Sequence, residues 1–184
     1  GDLGAGKDIE SALYMENVSG FKVIRGWYAG NAGLTVLKDR EYSEKKAGIR
    51  LINCSDGYIT NTSFVNLQKG IYIEGFYPGA DPSKTITLLG NSFYGCENID
   101  VELNSASNVS IEGNFLFSTT YLLSRLKQPV HNYCMKAYGK NSNVTVKYNS
   151  GTAVQSDDNF IENSAPGITY YKNIYCPYND VLIP

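Results

Sequence analysis

The sequence predicts an all-β chain wound as a parallel β-helix of about six coils, with loop insertions and one short helix. Three observations predict it. Apolar residues alternate in short runs broken by Asn, Gly and Ser, and amphipathic helical periodicity is almost absent. The runs repeat with a basic step in the low twenties of residues. An Asn returns at one fixed place in the repeat.

The first strand of each unit reads Leu13-Tyr14-Met15, Ile49-Arg50-Leu51, Ile71-Tyr72-Ile73, Val101-Glu102-Leu103, Met135-Lys136-Ala137 and Ile161-Glu162-Asn163. The second strand presents Val23, Ile59, Leu88, Ile111, Val146 and Tyr170 inward. The gap is 8 residues from Met15 to Val23, Leu51 to Ile59 and Leu103 to Ile111, 9 from Ala137 to Val146 and 7 from Asn163 to Tyr170. Only Ile73 to Leu88 departs, at 15, because the loop Phe76–Lys84 is inserted.

The corner after the second strand holds Asn91, Asn114, Asn149 and Asn173, with Gly26 and Thr62 at the same place in two coils. Asn tolerates the left-handed (αL) backbone region, and stacked amides can bond along the axis as in other cross-β ladders. A third, short strand and a variable loop complete each coil. One such loop contains the predicted helix Thr119–Lys127, with Pro129 shortly after it. A coil cannot bury its inner face alone, so stacking supplies the core.

The 184 residues are read as one domain spanning 1–184, and the opening Gly1-Asp2-Leu3-Gly4 as the start of a cut or mature piece of a longer chain. Lys+Arg 16 against Asp+Glu 18 gives a formal charge of −2, which excludes a basic nucleic-acid stripe. No run approaches the roughly 20 apolar residues of a membrane-spanning helix, so no membrane insertion is expected. Cys54, Cys96, Cys134 and Cys176 form no close pair and read as buried free thiols. No compact acidic spacing supports a metal, and no organic cofactor is implied.

The frame Asn108-Val109-Ser110-Ile111-Glu112-Gly113-Asn114, echoed by Asn143-Val144-Thr145-Val146-Lys147-Tyr148-Asn149, resembles right-handed β-helices of the pectin-lyase-like superfamily over roughly residues 12–176. That superfamily carries an asparagine ladder, matched here by Asn91, Asn114, Asn149 and Asn173. Its members include pectate lyases, polygalacturonases, epimerases and bacteriophage tailspikes that cut surface polysaccharides. The irregular insertions and the Tyr, Asn and Ser content look most like a tailspike or tail-fibre segment. The resemblance implies an extracellular or virion setting, a homotrimer, and binding and hydrolysis of a bacterial surface polysaccharide (O-antigen or capsule). A non-catalytic adhesin, a bacterial polysaccharide lyase or epimerase, and a plain solenoid spacer are the alternatives.

Alternation turns one column of the first strands outward: Tyr14, Arg50, Tyr72, Glu102, Lys136, Glu162. A second column two residues later reads Glu16, Ile52, Glu74, Asn104, Tyr138, Ser164. Glu74 and Glu102 become diagonal neighbours about 7–8 Å apart. That lies within the roughly 6.5–9.5 Å used by inverting glycosidases, in which one carboxyl protonates the leaving oxygen and the other activates water. Glu74 and Glu102 are therefore the expected catalytic pair. Tyr72 and Tyr77 would stack on sugar rings, Arg50 would pair with an acidic sugar, Asp81 would reach over the face from the inserted loop, and Lys136 and Tyr138 complete the substrate-binding set. Each of these residues alone reads more readily as an ordinary solvated position on a sheet than as a site residue, and opposite charges such as Glu102 and Lys136 help stack coils; the expectation rests on the cluster beside the inserted loop. Asp157-Asp158 resembles the paired Asp of polygalacturonases, but the accompanying Asn-Thr-Asp, Gly-His-Gly and Arg-Ile-Lys elements are missing, so it reads as a turn. His131, the lone histidine, has no nucleophile motif beside it. Five Asn-X-Ser/Thr sequons, at Asn17, Asn53, Asn61, Asn108 and Asn143, belong to the coil frame itself.

Overall fold

The computed structural model describes residues 2–3, 11–30, 47–65, 67–75, 84–94, 96, 99–117, 134–153, 161–163 and 167–177. Among them there is no helix, and the secondary structure is strand throughout. Tyr77, Asp81, the predicted helix Thr119–Lys127, His131 and Asp157-Asp158 lie outside the described residues.

The strands run in order β1 (Asp2–Leu3), β2 (Ser11–Glu16), β3 (Ser19–Ile24), β4 (Trp27–Gly30), β5 (Ala47–Ile52), β6 (Ser55–Thr60), β7 (Ser63–Val65), β8 (Lys69–Glu74), β9 (Ile86–Leu89), β10 (Ser92–Tyr94), β11 (Ile99–Asn104), β12 (Ser107–Glu112), β13 (Phe115–Phe117), β14 (Met135–Tyr138), β15 (Ser142–Lys147), β16 (Ser150–Ala153), β17 (Ile161–Asn163), β18 (Ile168–Tyr171) and β19 (Ile174–Pro177). Each pairs in parallel with the strand three places on, which sorts them into three sheets. Sheet A holds β1, β4, β7, β10, β13, β16 and β19; sheet B holds β2, β5, β8, β11, β14 and β17; sheet C holds β3, β6, β9, β12, β15 and β18. Parallel strands in three sheets, visited in strict rotation, are the strand architecture of a parallel β-helix.

The register follows the inward columns read from the sequence. In sheet B, Met15 faces Leu51, then Ile73, Leu103 and Ala137. In sheet C, Val23 faces Ile59, then Leu88, Ile111, Val146 and Tyr170. Inward residues of all three sheets merge into one hydrophobic cluster that includes Ile49, Leu51, Phe64, Ile71, Phe93 and Leu103. Sheet A contributes an aromatic column: Tyr28 stacks on Phe64 at 5.5 Å and Phe64 on Phe93 at 4.8 Å. Each such contact adds about 0.5–1.5 kcal/mol beyond burial. Gly48 makes room for this column, since a Cβ there would lie 2.7 Å from the Phe64 ring.

The Asn corner is a hydrogen-bonded ladder. The Oδ1 of Asn91, Asn114, Asn149 and Asn173 accepts, respectively, the backbone N–H of Thr62 at 3.0 Å and of Asn91, Asn114 and Asn149 at 2.9 Å. The Nδ2 groups of Asn91, Asn114 and Asn149 each donate to the next Oδ1 at 3.0, 2.9 and 2.8 Å. Thr62, which departs from the Asn pattern, still takes part: its Oγ1 accepts the Gly26 N–H at 3.2 Å. Thr62, Asn91, Asn114 and Asn149 are buried and Asn173, at the end of the ladder, is half-buried, so the bonds replace ones that water would otherwise make.

The left-handed backbone is elsewhere than expected. None of the ladder Asn residues has positive φ; the residue before each one does. Arg25, Asn61, Gly90, Gly113, Tyr148 and Lys172 form this column at the corner between sheets C and A. A second column, between sheets B and C, is Asn17, Asn53, Gly75, Ser105 and Gly139, and a third, at the entry to sheet C, is Gly20, Asp56, Asn108, Asn143 and Gly167. Every positive-φ residue among the described ones falls in one of these columns. All five sequon asparagines are among them, so turn geometry accounts for each. Cys96 and Cys134 are buried free thiols and Cys54 is half-buried.

Candidate functional site

The outward face of sheet B brings most of the expected site residues together. The pairing aligns Tyr14, Arg50, Tyr72, Glu102 and Lys136 in one column. It aligns Glu16, Ile52, Glu74, Asn104 and Tyr138 in the next. Because Glu102 faces Tyr72 and Asn104 faces Glu74, Glu74 and Glu102 are diagonal neighbours on adjacent strands. Tyr77 and Asp81 lie outside the described residues.

Arg50 is held between two rings. Its Cζ lies 5.8 Å from the Tyr14 ring centroid and 5.6 Å from that of Tyr72. The geometry places the guanidinium in cation–π range of a ring on each neighbouring strand. The hydroxyls then point along the sheet. Tyr14 donates to Glu16 Oε2 at 2.7 Å and Tyr72 donates to Glu74 Oε2 at 2.8 Å, the same i to i+2 arrangement on two strands. Asn104 Nδ2 donates to the Tyr72 hydroxyl at 3.2 Å.

Glu102 is the most enclosed member, 6% exposed. Its Oε1 accepts from the Tyr138 hydroxyl at 2.7 Å and its Oε2 pairs with Lys69 Nζ at 2.8 Å. Lys69 Nζ also lies 5.3 Å from the Tyr72 ring centroid, and Lys136 Nζ 5.8 Å from that of Tyr138. Burial pushes the Tyr72 hydroxyl above its ordinary pKa, with Glu74 adding to the rise. The Tyr138 hydroxyl is driven far higher, first by burial and then by its bond to Glu102. Both phenols are thus hydrogen-bond donors rather than bases at neutral pH.

The sequence reading did not find Lys69. Strict alternation gives it the parity of Ile71 and Ile73, which point inward. The alternation breaks at the strand entry, where both residues of Gly48-Ile49 and of Gly70-Ile71 are buried. Lys69 stands one residue before that break, and its Nζ reaches Glu102 on the outer face. The paired glycines at Gly48 and Gly70 are the signal that could have given it away.

Among the described residues no group of three or more His, Cys, Asp or Glu is arranged to hold a metal ion, and no helix is long and apolar enough to cross a membrane. The face offers tyrosine rings, a guanidinium between two of them, hydroxyls and carboxylates, which is chemistry suited to binding polyhydroxylated, partly anionic ligands. No family model, curated protein or solved structure matches this chain.

Proposed function

We propose that this chain is a polysaccharide-recognising β-helix whose binding surface is the outward face of sheet B. One observation carries the reading: successive strands present Tyr14, Arg50, Tyr72, Glu102 and Lys136 in a single aligned column. Neighbouring strands lie about 4.8 Å apart, so the column is a periodic array, and a periodic array suits a repeating polymer. Tyr rings take the apolar faces of sugars, Arg50 takes a carboxylate, and Glu74 and Asn104 take hydroxyls. The same proposal takes the winding as right-handed over about six coils, the hand of nearly all parallel crossovers. It takes the setting as a bacteriophage tailspike-like homotrimer acting on a bacterial surface polysaccharide, as the resemblance implies.

Hydrolysis is the second reading, favoured by the diagonal placement of Glu74 and Glu102. For Glu102 to activate water, Tyr138 or Lys69 must release one of its oxygens. Lyase chemistry through Tyr72 ranks behind it, because burial raises the pKa of that hydroxyl and so leaves less of the phenolate to take a proton at neutral pH.

Incubation with a panel of capsules, O-antigens and pectins tests the proposal. Arg50→Gln should weaken binding of an acidic polysaccharide by about tenfold, and Tyr72→Ala should do the same for neutral and acidic chains alike. Binding unchanged in both variants would remove sheet B from the site. New reducing ends that vanish in Glu74→Gln and in Glu102→Gln would add hydrolysis. Cleavage that persists in both would assign it to other residues.

A further inference from the structure

A second cluster, on the corner between sheets C and A, is not used by that reading. The pairing sets Lys147 opposite Tyr171, so the residues that follow, Tyr148 and Lys172, stand side by side on the same two turns of chain. The result is a small checkerboard of two lysines and two tyrosines. Lys147 Nζ and Lys172 Nζ each lie 5.7 Å from the Tyr148 ring centroid. Tyr171 meets Tyr148 edge to face at 5.9 Å. Tyr148 is 49% exposed and Tyr171 38%. Lys147 is paired with Glu112 at 3.1 Å, while among the described residues no carboxylate pairs with Lys172.

The backbone supplies an independent observation. Tyr148 has φ 57° and Lys172 φ 53°, both in the left-handed region. Other members of this column are Asn61, Gly90 and Gly113, residues that accept the conformation easily. A bulky Tyr and a Lys do not. Arg25, at φ 54°, is the one other long side chain in the column, so the corner tolerates such residues; Tyr148 and Lys172 differ from it in standing on adjacent turns, in contact with each other.

We propose that Tyr148, Tyr171, Lys147 and Lys172 form a subsite for an anionic sugar residue of a polysaccharide, separate from the sheet B face. The tyrosine rings take the sugar ring and the Lys172 ammonium takes its carboxylate or sulfate. A purely apolar partner would gain nothing from the two ammonium groups. A nucleic acid would call for a longer basic stripe than a chain of formal charge −2 provides.

The test uses the full chain with polygalacturonate, heparin, neutral dextran and a single-stranded oligonucleotide as probes, comparing the intact subsite with Lys172→Gly, Lys172→Arg and Tyr148→Gly. Because sheet B is expected to bind glycans too, the comparison is made in an Arg50→Gln, Tyr72→Ala background, where the subsite requires that at least one acidic glycan bind at low salt more tightly than dextran. Binding should weaken as salt rises, because the lysines are exposed to screening. Lys172→Gly and Tyr148→Gly should each lower that affinity about tenfold, with Lys172→Arg retaining most of it. Both glycine variants should keep or raise Tm, since glycine relieves the left-handed strain. No binding of either acidic glycan, unchanged affinity in the glycine variants, a Tm drop in both, or tighter capture of the oligonucleotide would each overturn the assignment. Arg50→Gln leaves this subsite untouched, so a failure here and a failure on sheet B are read separately.

Discussion

The corner between sheets C and A and the outer face of sheet B are built on the same stacked strands but obey different rules. At the corner, Asn91, Asn114, Asn149 and Asn173 repeat one side chain and one set of bonds. On the face, Tyr14, Arg50, Tyr72, Glu102 and Lys136 are nearly all different, and their partners change from strand to strand. Uniformity arises where the backbone sets the requirement: each ladder amide must satisfy a buried N–H in the preceding turn of chain. Variety survives where side chains can satisfy one another in several ways, with solvent at Tyr14 and Glu16 and with Tyr138 and Lys69 at the enclosed Glu102, and there residue choice is available for recognition.

The sharpest way to break that contrast is to remove one ladder amide. Asn114→Leu deletes the acceptor for the Asn91 N–H and Nδ2, and the donor to Leu88 O and Asn149 Oδ1. With each buried group left unpaired costing about 1–3 kcal/mol, a loss of roughly 3–6 kcal/mol is expected in urea unfolding. A loss below 1 kcal/mol would mean that the corner does not carry the fold. Glu102→Gln is the corresponding cut on the face. It strands the Lys69 ammonium, whose side chain is only 17% exposed, and should cost about 1–3 kcal/mol. Lys69→Met combined with Glu102→Gln should recover part of that loss in a double-mutant cycle; strict additivity would uncouple the pair.

The smallest effect is a pH dependence. The folded-state pKa values of Tyr72 and Tyr138 are raised, chiefly by burial. The folded chain therefore holds these protons more tightly than the unfolded chain does. The stability linked to them is complete below the ordinary tyrosine value near 10 and is lost as pH climbs above it. The urea midpoint should decline through that alkaline range, and Tyr138→Phe should flatten the decline. An identical slope in wild type and Tyr138→Phe would exclude Tyr138 as a contributor.

Much of this organisation was legible in the amino-acid order. The inward column from Val23 to Tyr170 and the outward column from Tyr14 to Lys136 could be aligned because the pleat has period two and the coil a nearly fixed step. The ladder was legible because its chemistry demands one residue type. The position of the left-handed residues was not: they precede the ladder Asn and include Tyr148 and Lys172, which carry no turn signature. Nor was the Lys69–Glu102 pair, since Lys69 stands beside a break in the alternation at Gly70. Periodicity reports what repeats and misses a contact made once.

The rotation of strands through three sheets has a kinetic consequence. Among the described residues no strand finds its partner nearby in the chain; even in the tightest stretch, Arg50 and its partner Tyr72 are 22 residues apart. Formation must therefore begin with costly loop closure, after which each completed layer templates the next. Such a molecule assembles slowly from a rare nucleus and then grows by accretion, so damage to an early layer delays everything that must settle upon it.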